Sequence, residues 1–136
     1  MTNYKVAIDI GGTDIKAAVL DENLKFINYQ RIPTPNNINE FIADAIFELV
    51  SHFKETYMIH PLQVGISSAG VINEENGTVV YAGPTIPNFI GTNFHKLLSP
   101  LNAEVKVFND VNAALLGELT LHDYEADNIF CLTLGT

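Results

Sequence analysis

The sequence predicts a mixed α/β fold, in which antiparallel and parallel strands share one sheet with helices on its faces. Three observations predict it. Short runs rich in valine and isoleucine recur along the chain, glycine-containing turns close two hairpins, and one long segment has the 3.6-residue apolar period of a helix. The chain has 136 residues, 47% of them hydrophobic, so we expect one globular core.

The first elements are three hairpin-linked strands, separated by a Gly-Gly turn and then by a polar turn. Their approximate bounds are residues 4–10, 15–20 and 26–32. A Pro-Thr-Pro segment follows and ends the third strand.

Residues 38–53 predict the clearest helix. Asn37 and Glu40, three positions apart, resemble a capping pair at its start, and Pro61 prevents it from continuing. Its apolar residues recur at i, i+3, i+4 and i+7 and would form one buried stripe: Ile38, Phe41, Ile42, Ala45, Ile46, Leu49, Val50 and Phe53.

The rest of the chain alternates strands, a loop and helices without a repeat or a low-complexity linker. In order, we expect a strand at 62–67, a hairpin of 71–72 with 78–81, a Gly/Pro/Asn-rich loop at 83–91, a short helix at 93–98, a strand at 105–108, a helix at 111–121 and a strand at 128–134.

The charge of the chain argues against two classes of partner. Sixteen acidic and seven basic residues give a formal net charge of −9, which opposes binding to nucleic acid or to an anionic membrane. Apolar runs are too short for a membrane span, and the first residues lead into a strand rather than a leader peptide. We expect a soluble, cytoplasmic protein.

Cysteine and histidine patterns do not indicate a metal site. Cys131 lies in an apolar run and is expected to be a buried thiol. None of the four histidines stands at i, i+4 from another or beside a cysteine pair: His52, His60, His95 and His122.

The turn after the first strand is a candidate phosphate site. Gly11 and Gly12 lack Cβ atoms, so backbone N–H groups can approach an anion there, and Thr13 adds a hydroxyl donor. Asp9 would tolerate that anion if a cation such as Mg²⁺ lay between them, and Lys16 offers a positive charge or a solvent-facing side chain. A Gly-Gly hairpin is more often only a turn, and neither the P-loop nor the dinucleotide fingerprint is present.

Asn109 and Asp110 follow a strand and begin a helix, so either one could simply cap that helix. Against this reading, ligands bind at the carboxyl ends of strands in α/β sheets. A carboxylate at a helix N-terminus also stays ionised, so Asp110 could accept a hydroxyl proton during phosphoryl transfer.

Four stretches in this order and spacing resemble the N-terminal portion of the ROK sugar kinases, within the actin/hexokinase-like (ribonuclease H-like) ATPase superfamily. They are DIGGTDIK at 9–16, GISSAG at 65–70, NDVNAA at 109–114 and LTLGT at 132–136. The resemblance covers essentially the whole chain. It implies an ATP-dependent kinase for a hexose or hexosamine, commonly at the 6-OH.

The resemblance also implies site residues. Asp110 would be the catalytic base. The sugar site would include Gly70, Asn88, Asn109 and Asp110. The Mg-ATP site would include Asp9, Gly11, Gly12, Thr13, Lys16, Gly135 and Thr136.

The sugar loop departs from the family pattern. Thr85 stands where many relatives have asparagine, and Ala69 stands where proline is frequent. The sugar therefore stays open among glucose, N-acetylmannosamine, other hexoses and β-glucosides.

The resemblance divides the chain into an N-terminal sugar- and phosphate-binding domain, 1–127, and the first strand of a second domain, 128–136. In relatives the second domain continues into a second phosphate turn, a zinc cluster and the adenosine pocket. We therefore expect this chain alone to be inactive. A homodimer is compatible with the family.

Two alternatives remain at this point. Relatives with the same core act as sugar-sensing transcriptional regulators, but they usually carry a DNA-binding segment ahead of it, whereas here the first strand begins by Tyr4. The other is a non-catalytic sugar-binding domain.

Overall fold

The computed structural model describes residues 3–121, and only the backbone of 117–121. The predicted strand at 128–134, Cys131, His122, Gly135 and Thr136 lie outside the described residues. The strands are β1 Lys5–Ile10, β2 Asp14–Leu20, β3 Phe26–Pro33, β4 Gln63–Ser68, β5 Val71–Asn73, β6 Thr78–Tyr81 and β7 Glu104–Asn109. The helices are α1 Ile42–Tyr57, α2 Phe94–Leu98, followed by a 3₁₀ turn at Ser99–Leu101, and α3 Asp110–Leu121.

Five strands form one mixed sheet in the order β3-β2-β1-β4-β7. β1, β2 and β3 pair antiparallel, as two consecutive hairpins require. β4 lies parallel to β1 on one side and to β7 on the other. The predicted mixed sheet with three antiparallel hairpin strands, further parallel strands and flanking helices is confirmed, and β5 with β6 forms the second predicted hairpin.

The main core lies on one face of this sheet, because alternate strand residues point to the same side. α1 buries a stripe of five apolar side chains within this core, and α2 adds Phe94 and Leu98. The strand residues of this core include Val6, Ile8, Ile10, Ile15, Val19, Val64, Ile66, Val105 and Val107.

The predicted start of α1 is wrong. The helix begins at Ile42, and its N-cap Phe41 makes no side-chain capping bond. Residues 36–40 form a turn instead, because Oδ1 of Asn36 accepts from the N–H groups of Ile38, Asn39 and Glu40. No helix in residues 3–121 is long and apolar enough to cross a membrane.

On the opposite face of the sheet, small residues form a row across three strands. Ala7 of β1 is in register with Ala18 of β2 and with Gly65 of β4. They line a cavity of about 410 Å³ together with Leu116 of α3 and the stacked rings of Phe26 and Tyr29, among others. The cavity is mostly apolar, and Asp9 and Lys16 are among the residues that line it.

Candidate active site

The carboxyl ends of three adjacent strands meet at one edge of the sheet. Ile10 of β1 is in register with Ser68 of β4, and Ser68 is in register with Asn109 of β7. The Gly-Gly turn directly follows Ile10, Asp110 directly follows Asn109, and Gly70 lies two residues after Ser68. Two strand spacings, about 10 Å, separate β1 from β7, which leaves room for a phosphoryl group and an acceptor hydroxyl between them.

The turn between β1 and β2 presents two of its three N–H groups outward. The N–H of Gly11 donates to the carbonyl of Asp14 at 3.0 Å and closes the turn. Gly12 and Thr13 are exposed, and their N–H groups meet no acceptor among the described residues. The candidate phosphate donors are therefore these two N–H groups and the Thr13 hydroxyl.

Thr34 fixes this turn, a role that no sequence pattern indicates. Its hydroxyl donates to the carbonyl of Gly11 at 2.7 Å, and its N–H donates to the carbonyl of Thr13 at 2.9 Å. Both bonds join the segment after β3 to the turn after β1. No local pattern marks Thr34, because its partners lie more than 20 residues earlier in the chain.

A Thr34→Val variant is expected to lose about 1 kcal/mol of unfolding free energy, because the Gly11 carbonyl loses its hydroxyl donor while the side-chain shape is kept. Urea denaturation measures the loss. Thr34→Ser, which retains the hydroxyl, is the matched control and should lie closer to wild type. Equal stability of the valine variant and wild type would contradict the role of this bond.

Gly70 and Asn109 form the middle of the site. Gly70 has φ +93°, and a Cβ at this position would lie 2.5 Å from the carbonyl oxygen of Tyr81. The Asn109 amide donates to the carbonyl of Gly70, and its Oδ1 accepts from the N–H of Val111 at 3.0 Å. Asn109 therefore joins the segment that follows β4 to the first turn of α3.

Asp110 is exposed at the first position of α3. Its Oδ1 accepts from the N–H of Val111 at 2.9 Å. Asn109, directly before α3, accepts from the same N–H at 3.0 Å and is the residue that caps the helix. Oδ2 of Asp110 meets no donor among the described residues. One carboxylate oxygen is thus held by the helix, and the other is open to a ligand.

The loop between β6 and α2 approaches the turn after β1. A Cβ added to Gly12 would lie 3.9 Å from the Cβ of Thr85, an ordinary contact distance. Ile86 and Phe89 are buried in the core, whereas Thr85 and Asn88 are exposed. The Asn88 amide donates to the carbonyl of Asn37 at 3.0 Å, so part of its hydrogen-bonding capacity holds the loop.

The strands next to the Gly11-Gly12 turn carry charged residues. Asp9 and Lys16 are cross-strand partners in the β1–β2 register, and both line the cavity described above. Arg31 of β3 donates to Oδ2 of Asp14 through Nε, at 2.9 Å, and through Nη2. The hydrogen bond to Asp14 and the negative charge of that carboxylate raise the pKa of Arg31. Of the two carboxylates next to the turn, Asp9 and Asp14, it is Asp14 that pairs with the positive charge of Arg31.

Comparison with known proteins identifies the family to which this sequence is similar. The sequence profile of the ROK family matches residues 5–136. The chain is 36% identical over 132 residues to a glucokinase of Streptomyces coelicolor, covering 96% of this chain and 40% of that protein. It is 33% identical over 130 residues to an N-acetyl-D-glucosamine kinase of Yersinia pestis, covering 94% of this chain and 50% of that protein.

The fold matches solved structures of the same family. A ROK family glucokinase from Streptomyces griseus, in complex with glucose and AMPPNP, superposes with a TM-score of 0.69 at 34% identity, over 85% of this chain and 36% of that one. The chain thus spans half or less of the length of these relatives.

Proposed function

Because the chain belongs to the ROK family of sugar kinases, we propose that the whole protein transfers the γ-phosphoryl group of ATP to a hydroxyl of a hexose or hexosamine. One observation carries the proposal. The sheet register brings the Gly12–Thr13 turn, Gly70 and Asp110 to one edge, although they are far apart in sequence. Kinase relatives with the same fold, one of them solved with glucose and an ATP analogue, support it.

Asp110 is the proposed catalytic base. The sugar hydroxyl gives its proton to Oδ2 of Asp110 as its oxygen forms a bond to the γ-phosphorus, and the bond to the β-phosphate oxygen breaks to release ADP. The N–H of Val111 holds Oδ1, which orients the carboxylate without occupying the accepting oxygen. Asn109 and Gly70 lie beside it and are proposed to line the sugar site.

The residues at the turn fit a nucleotide phosphate. Gly12 and Thr13 are exposed and present unused N–H groups, while crowding against the Asp14 carbonyl, 3.2 Å from a Cβ on Gly11, favours glycine there. Asp9 lies at the end of β1, where it would hold Mg²⁺, directly or through water; when bound, that ion neutralises phosphate charge. Lys16 is a further source of positive charge for the nucleotide.

The sugar is proposed to be glucose or an N-acetylhexosamine, phosphorylated at its 6-OH. Glucokinases and N-acetyl-D-glucosamine kinases are among the relatives. Thr85 and Asn88 belong to the loop that faces the Gly12 turn, so they are the proposed contacts that discriminate between sugars. We also propose that residues 1–127 form the sugar- and phosphate-binding domain and that residues 128–136 are the first strand of a second domain. This chain alone is proposed to be inactive, because Gly135 and Thr136 would supply only half of a second phosphate turn.

The test is ADP release by the whole protein with glucose, N-acetylglucosamine and N-acetylmannosamine, each at saturating Mg-ATP. We expect at least one of these sugars to stimulate ADP release and to yield the 6-phosphate, identified by NMR of the product. The 136-residue chain serves as the control and should release no ADP. Binding of ATP and sugar by the whole protein without phosphorylation would refute the kinase and favour a sugar-sensing role.

A further inference from the structure

Asn37 joins the segment before α1 to the loop between β6 and α2. It is a buried polar residue, only 5% exposed, in an otherwise exposed segment. Each of its polar groups has a partner. Its N–H donates to the Glu40 carbonyl (2.8 Å), its Oδ1 accepts from the Ile42 N–H (3.1 Å), its Nδ2 donates to the Pro87 carbonyl (2.7 Å), and its carbonyl accepts from Nδ2 of Asn88 (3.0 Å).

The bonds to the loop are reciprocal. Asn37 donates its amide to the backbone of Pro87, and Asn88 donates its amide to the backbone of Asn37, across about 50 residues of sequence. Both asparagines have positive φ, +62° and +56°. Asparagine tolerates this conformation better than most residues, so the same residue type satisfies the backbone and supplies the amide.

These bonds act on the exposed part of the loop. Ile86 and Phe89 anchor the loop in the core, and the residues between them, Pro87 and Asn88, are exposed. The contacts with Asn37 fix the backbone at that point. Thr85 lies beside Gly12 and immediately before this anchored stretch. The position of Thr85 at the candidate site therefore depends on the contacts between Asn37 and the loop.

We propose that Asn37 is a positioning residue for sugar binding. It holds residues 84–89 in the conformation that places Thr85 and Asn88 at the site, and it does not touch the sugar. A binding loop that is fixed in advance loses less conformational freedom when the ligand binds. The consequence for sugar affinity rests on the proposed function, whereas the ordering of the loop does not.

The Asn37→Asp variant separates the two hydrogen bonds of this side chain, the one to the start of α1 and the one to the loop. The carboxylate still accepts from the Ile42 N–H and tolerates positive φ, but it cannot donate to the Pro87 carbonyl. We expect amide hydrogen exchange in residues 84–91 of the whole protein to quicken about tenfold, with α1 unchanged. The sugar KM should rise about tenfold, while kcat and the KM for ATP stay within about twofold of wild type.

Two further variants complete the test. Asn39→Asp makes the same change at an exposed neighbour whose side chain makes no hydrogen bond within residues 3–116, and it should behave as wild type. Asn37→Gly accepts the positive φ and removes both side-chain bonds, so it should mobilise the loop even if the aspartate variant folds poorly.

The outcomes separate this inference from the proposed function. Unchanged exchange in residues 84–91 of both Asn37 variants would overturn the loop contact. Faster exchange with an unchanged sugar KM, or equal rises in the KM of sugar and of ATP, would overturn the positioning role. If wild type phosphorylates no sugar, the proposed function fails, and the exchange experiment still decides whether Asn37 orders the loop.

Discussion

An Asp110→Asn variant of the whole protein is expected to lose about 10²–10⁴-fold in kcat, because an amide cannot accept the hydroxyl proton. Its fold should be retained. The amide oxygen can still accept from the Val111 N–H, and Asn109 accepts from the same N–H at 3.0 Å. The measurement is steady-state ADP release, with sugar and nucleotide affinity determined separately by calorimetry.

Asp44→Asn is the matched control for this experiment. Asp44 is also an exposed carboxylate in the first turn of a helix, but it lies in α1, which contributes no residue to the candidate site. Its substitution removes a similar interaction with the helix dipole, worth a few tenths of a kcal/mol, and should leave kcat unchanged. An Asp110→Asn variant with full turnover would refute the assignment of the base, and equal losses in both variants would show an effect on folding.

A Gly70→Ala variant is expected to lose about 2–5 kcal/mol of unfolding free energy. The methyl group would lie 2.5 Å from the carbonyl oxygen of Tyr81, and a backbone atom at the end of β6 cannot move aside as a flexible side chain can. The backbone at φ +93° adds strain for any residue with a Cβ. Because the Gly70 carbonyl also accepts from Asn109, displacement of this residue should lower activity as well.

Gly65→Ala provides the comparison within the same strand region. Among the residues that the structure describes, no atom lies within 4 Å of a Cβ placed on Gly65, which is inside β4. Its replacement should leave stability within about 1 kcal/mol of wild type or raise it slightly, since glycine weakens a strand. Urea denaturation of both variants checks the difference. Similar stabilities for the two alanine variants would contradict the close approach of Tyr81 to Gly70.

The sequence predicted most elements because their signals are local. The β1–β2 hairpin follows from two strand-forming runs on either side of Gly11-Gly12, and the β5–β6 hairpin follows from the Asn76-Gly77 turn. The predicted start of α1 lies four residues before the observed one, because Ile38 and Phe41 continue the apolar period although both are exposed. The side chain of Asn36 competes for the N–H groups that a helix would need, and periodicity does not register that competition.

For the candidate site, the sequence indicated which residues carry the chemistry, and the tertiary structure determined which residues lie next to one another. A Gly-Gly hairpin alone is more often only a turn, and Asp110 alone could be a helix cap. The order and spacing of the four motifs, which resemble those of the ROK kinases, singled out the Gly12–Thr13 turn and Asp110 as site candidates. Their meeting at one edge depends on the parallel register of β1, β4 and β7. The bond of Thr34 to the turn and the bond of Asn37 to the loop are known only from the folded chain. Their backbone partners lie 20 to 50 residues away, and the local sequence does not indicate such partners.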